Sequence, residues 1–220
     1  MYNRHVQLVP LGSVRNQKGT SLTDVLVATA LGLITVTSAL GFYRYQLFAF
    51  RHQSAQVEVQ TAARAVLNLV ISELRRAAGN PRCVPNFEGI AEASASRIRI
   101  RSDLDGNGAT DSSGEDVTYA FDSAAGRLTR TTAGVTEELS DSNFAATGFQ
   151  LRYFDGSGAE LVPSASGLTQ AQRAAVRRIS VALTLSRRAI DPRNNQSLSA
   201  TVSSSADLRN RFLVSVVSCS

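Results

Sequence analysis

The residues best placed for chemistry lie in one short stretch, Asp103-Leu104-Asp105-Gly106-Asn107-Gly108-Ala109-Thr110-Asp111. Oxygen-bearing side chains stand at its first, third, fifth and ninth positions: Asp103, Asp105, Asn107 and Asp111. Glycine stands at the sixth, and the Ala109 carbonyl is available at the seventh. Alternate residues of a tightly curled loop point inward, and a hard cation takes several oxygens at about 2.3–2.6 Å. The pattern is the opening of a twelve-residue Ca²⁺ loop. Position twelve is Gly114, where a bidentate carboxylate belongs; Glu115 or Asp116 replaces it only if the loop takes an extra residue. Acids gather between Asp103 and Asp116 with no basic residue among them, which favours a cation. A solvated turn rich in Asp, Asn and Gly explains the same residues without an ion.

Other chemistry finds little support. The two histidines, His5 and His52, and the two cysteines, Cys83 and Cys219, form no zinc-ligand spacing. His52 lies in a helical stretch, a poor place for a catalytic base. No phosphate loop or nucleophile elbow occurs, so an enzyme is not expected. The chain carries a formal net charge of +5, but Arg4, Arg15 and Lys18 fall in its first 19 residues, which contain no acid. The basicity is partly a property of that end. Nucleic acid is therefore not an expected partner, although Arg173, Arg177, Arg178, Arg187 and Arg188 could form a basic patch.

The elements that position these residues are legible from the pattern. From Val25 to Tyr43 no residue is charged, a run of roughly 19 that approaches the ~20 needed to cross a bilayer core. Leu26, Val27, Leu31, Leu33, Ile34, Val36 and Leu40 supply its apolar surface. Apolar residues continue at helical spacing through Leu47, Phe50, Val57, Val66, Leu67, Val70, Ile71 and Leu74. No proline occurs between Thr20 and Ala78, and Gly79-Asn80-Pro81 then supplies a stop. This predicts one helix of about 59 residues, ~90 Å long at 1.5 Å per residue. Beyond Pro85 the period changes to strands: 97–101, 117–121, 128–131, 149–154, 179–185 and 212–217, with a turn at 155–158 and a short helix over 168–176. Short strands with tight turns suggest an antiparallel sheet, whose apolar face the second half of the long helix would cover. The fold class is α+β.

The N-terminal segment carries a resemblance. Lys18-Gly19 is followed by Thr20-Ser21-Leu22-Thr23-Asp24 and then the apolar run. A secretory signal peptide has its apolar region before the cut, whereas here it follows the basic stretch. An uncleaved anchor, or a cut near Ala39, is the simpler alternative. The segment resembles the class III leader of type IV pilins and type II secretion pseudopilins. It departs in having Thr20 where the family usually has Phe and Asp24 where it usually has Glu. The stretch 175–185 with 208–211 looks like the C-terminal part of PilW-type minor pilins, related to the J-type pseudopilin.

The resemblance implies a division into a cleaved leader, 1–19, a long helix, 20–79, crossing the membrane at about 25–43, and a periplasmic or extracellular β-rich head, 80–220. It implies cleavage after Gly19 by a prepilin peptidase, with methylation of Thr20. Expected partners are other pilin and minor pilin subunits and the inner-membrane assembly platform. The expected location is the inner membrane, single-pass, and then the pilus or pseudopilus. The function it implies is a non-catalytic minor pilin active in pilus assembly or priming, with a pseudopilin, tip adhesin or DNA-uptake subunit as alternatives.

Asp24 then has a role. A carboxylate at the edge of an apolar span needs a partner. The α-amino group freed at Thr20 is a cation that could set the axial register between subunits, while an ordinary helix-start acid is the simpler account. In the periplasm Cys83 and Cys219 would oxidise to a disulfide. Closing so long a loop constrains the unfolded chain by about 5 kcal/mol in the entropy model.

Overall fold

The computed structural model describes residues 19, 21–140, 144–188 and 197–209. Its first element is the long helix α1, Leu22–Arg76, 55 residues without a break. The chain divides into two compact units between Leu47 and Phe48. In the first, Leu26, Leu31, Leu33, Ile34 and Leu40 are all exposed. No share of the most apolar window of α1 is buried, and its length and composition suffice to cross a membrane. Its hydroxyls are satisfied within the helix. Thr29 donates to the Leu26 carbonyl at 2.9 Å, Thr35 to Gly32 at 2.8 Å, Thr37 to Leu33 at 2.8 Å and Ser38 to Ile34 at 2.7 Å. The threonine and serine hydroxyls between Val25 and Tyr43 thus present no unpaired donor to a hydrocarbon surrounding.

The second unit holds the rest of α1 and two antiparallel sheets, where the sequence pattern suggested one. The first sheet is a meander of β1 (Ile90–Ala93), β2 (Arg97–Arg101), β3 (Asp116–Asp122), β4 (Arg127–Thr132) and β5 (Val135–Glu138), in that order. The second contains β6 (Ala145–Phe154), β7 (Glu160–Leu161), β8 (Arg178–Arg188) and β9 (Ser197–Asp207), ordered β7-β6-β8-β9. Helix α2, Gln170–Ala175, precedes β8 and starts at a capping box formed by Thr169 and Gln172. Its residues fall within the expected 168–176. The expected strand 212–217 lies outside the described residues.

One face of α1 supplies the core. Ala55, Val59, Ala63, Leu67, Val70, Ile71 and Leu74 are buried, spaced three and four apart. From Val59 onward they pack with Ile98, Ile100, Val117 and Leu128 of the first sheet and Leu151, Ile179, Val181, Leu183 and Leu185 of the second. The strands alternate as period two demands, with Ile98 and Ile100 buried between the arginines of β2. In β6 the register shifts between Ala146 and Gly148, so burial moves from Ala146 to Phe149.

The helix stops three residues before the expected 79. Ala78 takes a left-handed φ of 65°, the position the sequence seemed to reserve for Gly79. A Cβ on Gly89 would come within 2.1 Å of the Ala78 Cβ, so Gly89 is the residue that makes room for this turn. The Ala78 N–H donates to the Arg101 carbonyl at 2.8 Å, and the Asp103 N–H donates to the Gly79 carbonyl at 2.8 Å. The end of α1 is thereby joined to the exit of β2, where the acidic loop begins.

Candidate functional site

The loop from Asp103 to Glu115 connects β2 to β3, and the ladder from Arg97↔Ala120 to Arg101↔Asp116 closes its base. The Ser102 N–H donates to the Glu115 carbonyl at 2.8 Å, extending that closure by one pair. Inside, Gly106, Gly108 and Gly114 hold φ values of 75°, 88° and 87°, which only glycine adopts without strain. The backbone curls around the Asp103 carboxylate. Its Oδ1 accepts from the Gly106 N–H at 2.7 Å and its Oδ2 from the Gly108 N–H at 3.0 Å. Asp105 accepts from the Asn107 N–H at 2.9 Å and, through Oδ2, from the Ser112 hydroxyl at 3.1 Å.

Glu115 supplies what position twelve lacks. Its Oε1 accepts from the N–H groups of Leu104 at 2.8 Å and Asp105 at 3.2 Å, and its Oε2 from Ser112 at 2.8 Å. The loop carries one extra residue and turns Glu115 inward. The other candidate, Asp116, faces elsewhere: Arg99 grips it at 2.8 and 2.7 Å and Arg101 at 3.1 Å. Burial pushes the Asp116 carboxyl up, but the hydrogen bonds and charges of the two arginines outweigh it and hold it below the usual carboxylate range.

Carboxylate oxygens of Asp103, Asp105 and Glu115 lie within 4.8 Å of one another, a group that could hold a metal ion. Asp103 is 4% exposed and Glu115 1%. Among the described residues no arginine forms an ion pair with any of the three. Buried carboxylates held only by N–H and hydroxyl donors keep lone pairs for a cation, and a cation would offset their mutual repulsion. Asn107 joins the group, its Nδ2 donating to Asp105 Oδ2 at 3.1 Å and to Asp111 Oδ1 at 3.4 Å. Ala109 enters through its N–H, which Asn107 Oδ1 accepts at 2.7 Å. Asp111 is thus connected to the triad through Asn107 rather than directly.

The N-terminal residues occupy the start of α1. The Ser21 N–H donates to Asp24 Oδ2 at 3.2 Å, and the Ser21 carbonyl accepts from the Asp24 N–H at 2.9 Å. In the single chain Asp24 therefore caps its own helix. Gly19 is exposed, and a Cβ there would meet no atom within 4 Å. Thr20 lies outside the described residues. So does Cys219, the expected partner of Cys83. Cys83 sits in the turn after α1, where the Asn80 side chain exchanges hydrogen bonds with the Val84 backbone at 2.9 and 3.0 Å.

The arginines considered as a basic patch are largely engaged. Arg173 donates to the carbonyls of Ile90 and Leu168 at 3.1 and 2.9 Å and pairs with Glu88 at 3.4 Å. Arg187 pairs with Glu58. Arg178 stacks over the Phe154 ring at 4.6 Å. Arg177 donates to the Ala174 and Val176 carbonyls at 2.8 and 3.1 Å. The side chain of Arg188 lies outside the described residues.

Sequence reasoning missed a buried polar cluster between α1 and the first sheet. Glu73, 5% exposed, accepts a bidentate hydrogen bond from Arg130 and a hydrogen bond from the Tyr119 hydroxyl. Burial first, and then the Glu73 carboxylate, push the Tyr119 hydroxyl far up. The readable signal was Glu73 itself, an acid set among Val70, Ile71, Leu74 and Ala77 on the buried stripe.

No protein-family model matches the sequence, and no curated protein matches it either. Among solved structures the chain is similar to a type IV-like pilin from Thermus thermophilus, with 11% sequence identity and a TM-score of 0.38 over 72% of this chain and 97% of that one.

Proposed function

We propose that this chain is a leader-cleaved, non-catalytic filament subunit, a minor pilin acting in the assembly or priming of a type IV pilus. One observation carries the reading. A single unbroken helix exposes an apolar, uncharged first half and buries one face of its second half in a sheet-built head. Such a first half needs a lipid or protein cover, which the described residues do not supply. The basic stretch and Gly19 before it, and Asp24 at its edge, fit cleavage by a prepilin peptidase. On this reading the leader is 1–19 and the membrane part about 25–43. The head stands in the periplasm until the inner-membrane platform delivers the subunit to the filament. Asp24, exposed in the single chain, would exchange its capping bond to Ser21 for the freed α-amino group of a neighbouring pilin.

A minor pseudopilin of a type II secretion system is the second reading, since the same helix serves it equally. A DNA-uptake role has weaker support, because Arg173, Arg177, Arg178 and Arg187 already hold carbonyls, acids or a ring.

The N-terminal mass of the protein from membranes with and without a prepilin peptidase tests the proposal. A mature chain starting at Thr20 is expected, and its formation should cease without the peptidase or with Gly19→Ala. A chain that keeps its first 19 residues, or starts near Leu40, would refute it.

For the acidic loop we infer Ca²⁺ as the ion, held by Asp103, Asp105 and Glu115, with Asn107, Ala109 and Asp111 shaping the cage. Calorimetric titration of the whole protein in detergent should give one site in the micromolar to millimolar range of extracellular modules. Asp103→Ala with Asp105→Ala should abolish the heat, and Glu115→Gln should weaken binding. No heat from the unaltered chain would sink the assignment.

A further inference from the structure

Leu208, which follows β9, is fully buried in the core, and its N–H donates to the Arg177 carbonyl at 2.8 Å. Arg177 also lines a groove of about 510 Å³. The chain therefore passes beyond the described residues beside the wall of that groove. The lining includes Val84, Pro85 and Phe87 of the turn after α1 and Ala174 of α2. Val84 and Phe87 are half-buried, and Pro85 and Ala174 are exposed. Apolar side chains thus line a concave surface that the described residues leave uncovered.

Cys83 lines the same groove, and the local backbone fixes its place there. It takes a left-handed φ of 54°, and its N–H donates to the Asn80 carbonyl at 3.1 Å. Asn86, three residues on, holds a φ of 59°. Non-glycine residues keep such angles only where their surroundings impose them.

The segment that follows Leu208 has the matching chemistry. After Arg209, Asn210 and Arg211 it reads Phe212-Leu213-Val214-Ser215-Val216-Val217-Ser218-Cys219, uncharged and mostly apolar. Such a run needs cover from water. At about 3.3 Å per residue the stretch from Leu208 to Cys219 reaches up to ~36 Å, enough to follow the groove and bring Cys219 to Cys83.

We propose that this groove is the seat of the chain's own segment 212–217, fastened by a disulfide between Cys83 and Cys219. Tethering selects this occupant: a segment leaving from the groove wall is present there at an effective concentration that a separate chain does not match. The S–S bond forms as the two thiols give up two protons and two electrons to a disulfide oxidant such as glutathione disulfide, which is reduced to two thiols. Oxidation then fixes segment 212–219 against the turn that ends α1. The seat goes beyond the filament-subunit reading and does not depend on it.

The test uses the purified full chain in detergent, oxidised with glutathione disulfide, alkylated, and digested with trypsin without reduction. Monomeric protein should yield the peptide 83–97 joined to one that begins at Phe212. Hydrogen exchange separates a seat from a mere tether: amides of 212–217 should exchange at least about tenfold more slowly than in a free peptide of that sequence. Ala174→Trp, at an exposed position of α2, should fill the groove and return those amides to the free-peptide rate while β8 stays protected, which shows that the head still folds. Alkylated thiol at Cys83 after oxidation, or free-peptide exchange of 212–217 in the linked chain, would overturn the proposal. So would full protection of 212–217 in Ala174→Trp, which would place the segment elsewhere. A disulfide joining two copies would overturn it and assign the groove to a second chain.

Discussion

Asp116 and Glu115 are adjacent acids with opposite fates. Strand alternation sends one to each face of the sheet, so Glu115 enters the loop and Asp116 meets Arg99 and Arg101. The sequence offers both as the missing ligand, with Glu115 the expected one, and the outcome depends on where the β2–β3 ladder ends. The Asp116 carboxyl is held below its ordinary range, so its folded form binds a proton less readily than its unfolded form. The stability it adds is full above the usual carboxylate range and is lost as pH falls through and below that range. Acid unfolding monitored by circular dichroism should show this: Asp116→Asn lowers stability at neutral pH and flattens its decline in acid. An unchanged acid limb would contradict the pairing. The Glu73, Tyr119 and Arg130 cluster was illegible for a related reason. Glu73 reads as one acid on a helix, and its partners arrive from strands 46 and 57 residues away in sequence.

At the scale of elements, the sequence disclosed those with strong periods. The pattern predicts β2 with its observed bounds, α1 to within three residues at its C-terminal end, β3, β4 and β8 over most of their length, and β6 only in its C-terminal part. The elements that escaped have weak or broken patterns. β9 is mostly serine and small residues, and β5 is four exposed residues. The two-sheet arrangement escaped as well, since alternation says which residues face a core and not which strand is the neighbour. The junction after α1 was placed on Gly79, but the tight approach is between Ala78 and Gly89. Gly89→Ala should therefore cost about 1–3 kcal/mol through overpacking, seen as a lowered denaturation midpoint. Gly134→Ala is a poor control because of its positive φ, whereas at Gly156 an added Cβ would meet only the Arg177 side chain at an ordinary 3.7 Å. A Gly89→Ala midpoint equal to that of the unaltered chain would show that this contact is slack.

For the whole molecule, the division at Leu47 and Phe48 separates two units of opposite surface character. The first unit has apolar side chains outward, and the second has its own buried core. In a detergent phase-separation assay the full chain should enter the detergent phase, and a chain starting at Phe48 the aqueous one. The shortened chain should keep cooperative unfolding, because its core residues all lie beyond the cut. Entry of the shortened chain into detergent would mean that its remaining helix is itself a membrane element. The long apolar run was the most legible feature of the sequence. The least legible was β9, because an uncharged strand of serine and small residues leaves little mark in the pattern.

The junction between α1 and β2 has a mechanical meaning. Two backbone hydrogen bonds, from Ala78 to Arg101 and from Asp103 to Gly79, fasten the end of the helix to a strand in the middle of its meander. One turn earlier, Arg130 grips Glu73 at 2.7 Å. Tension applied along the helix is delivered into the sheet through these points. Withdrawing the helix would require breaking the two bonds and stripping a charged pair at the same moment. A chain pulled from its N-terminus therefore meets, beyond the buried face of α1, a last fastening at the helix exit, next to the loop that gathers the acids.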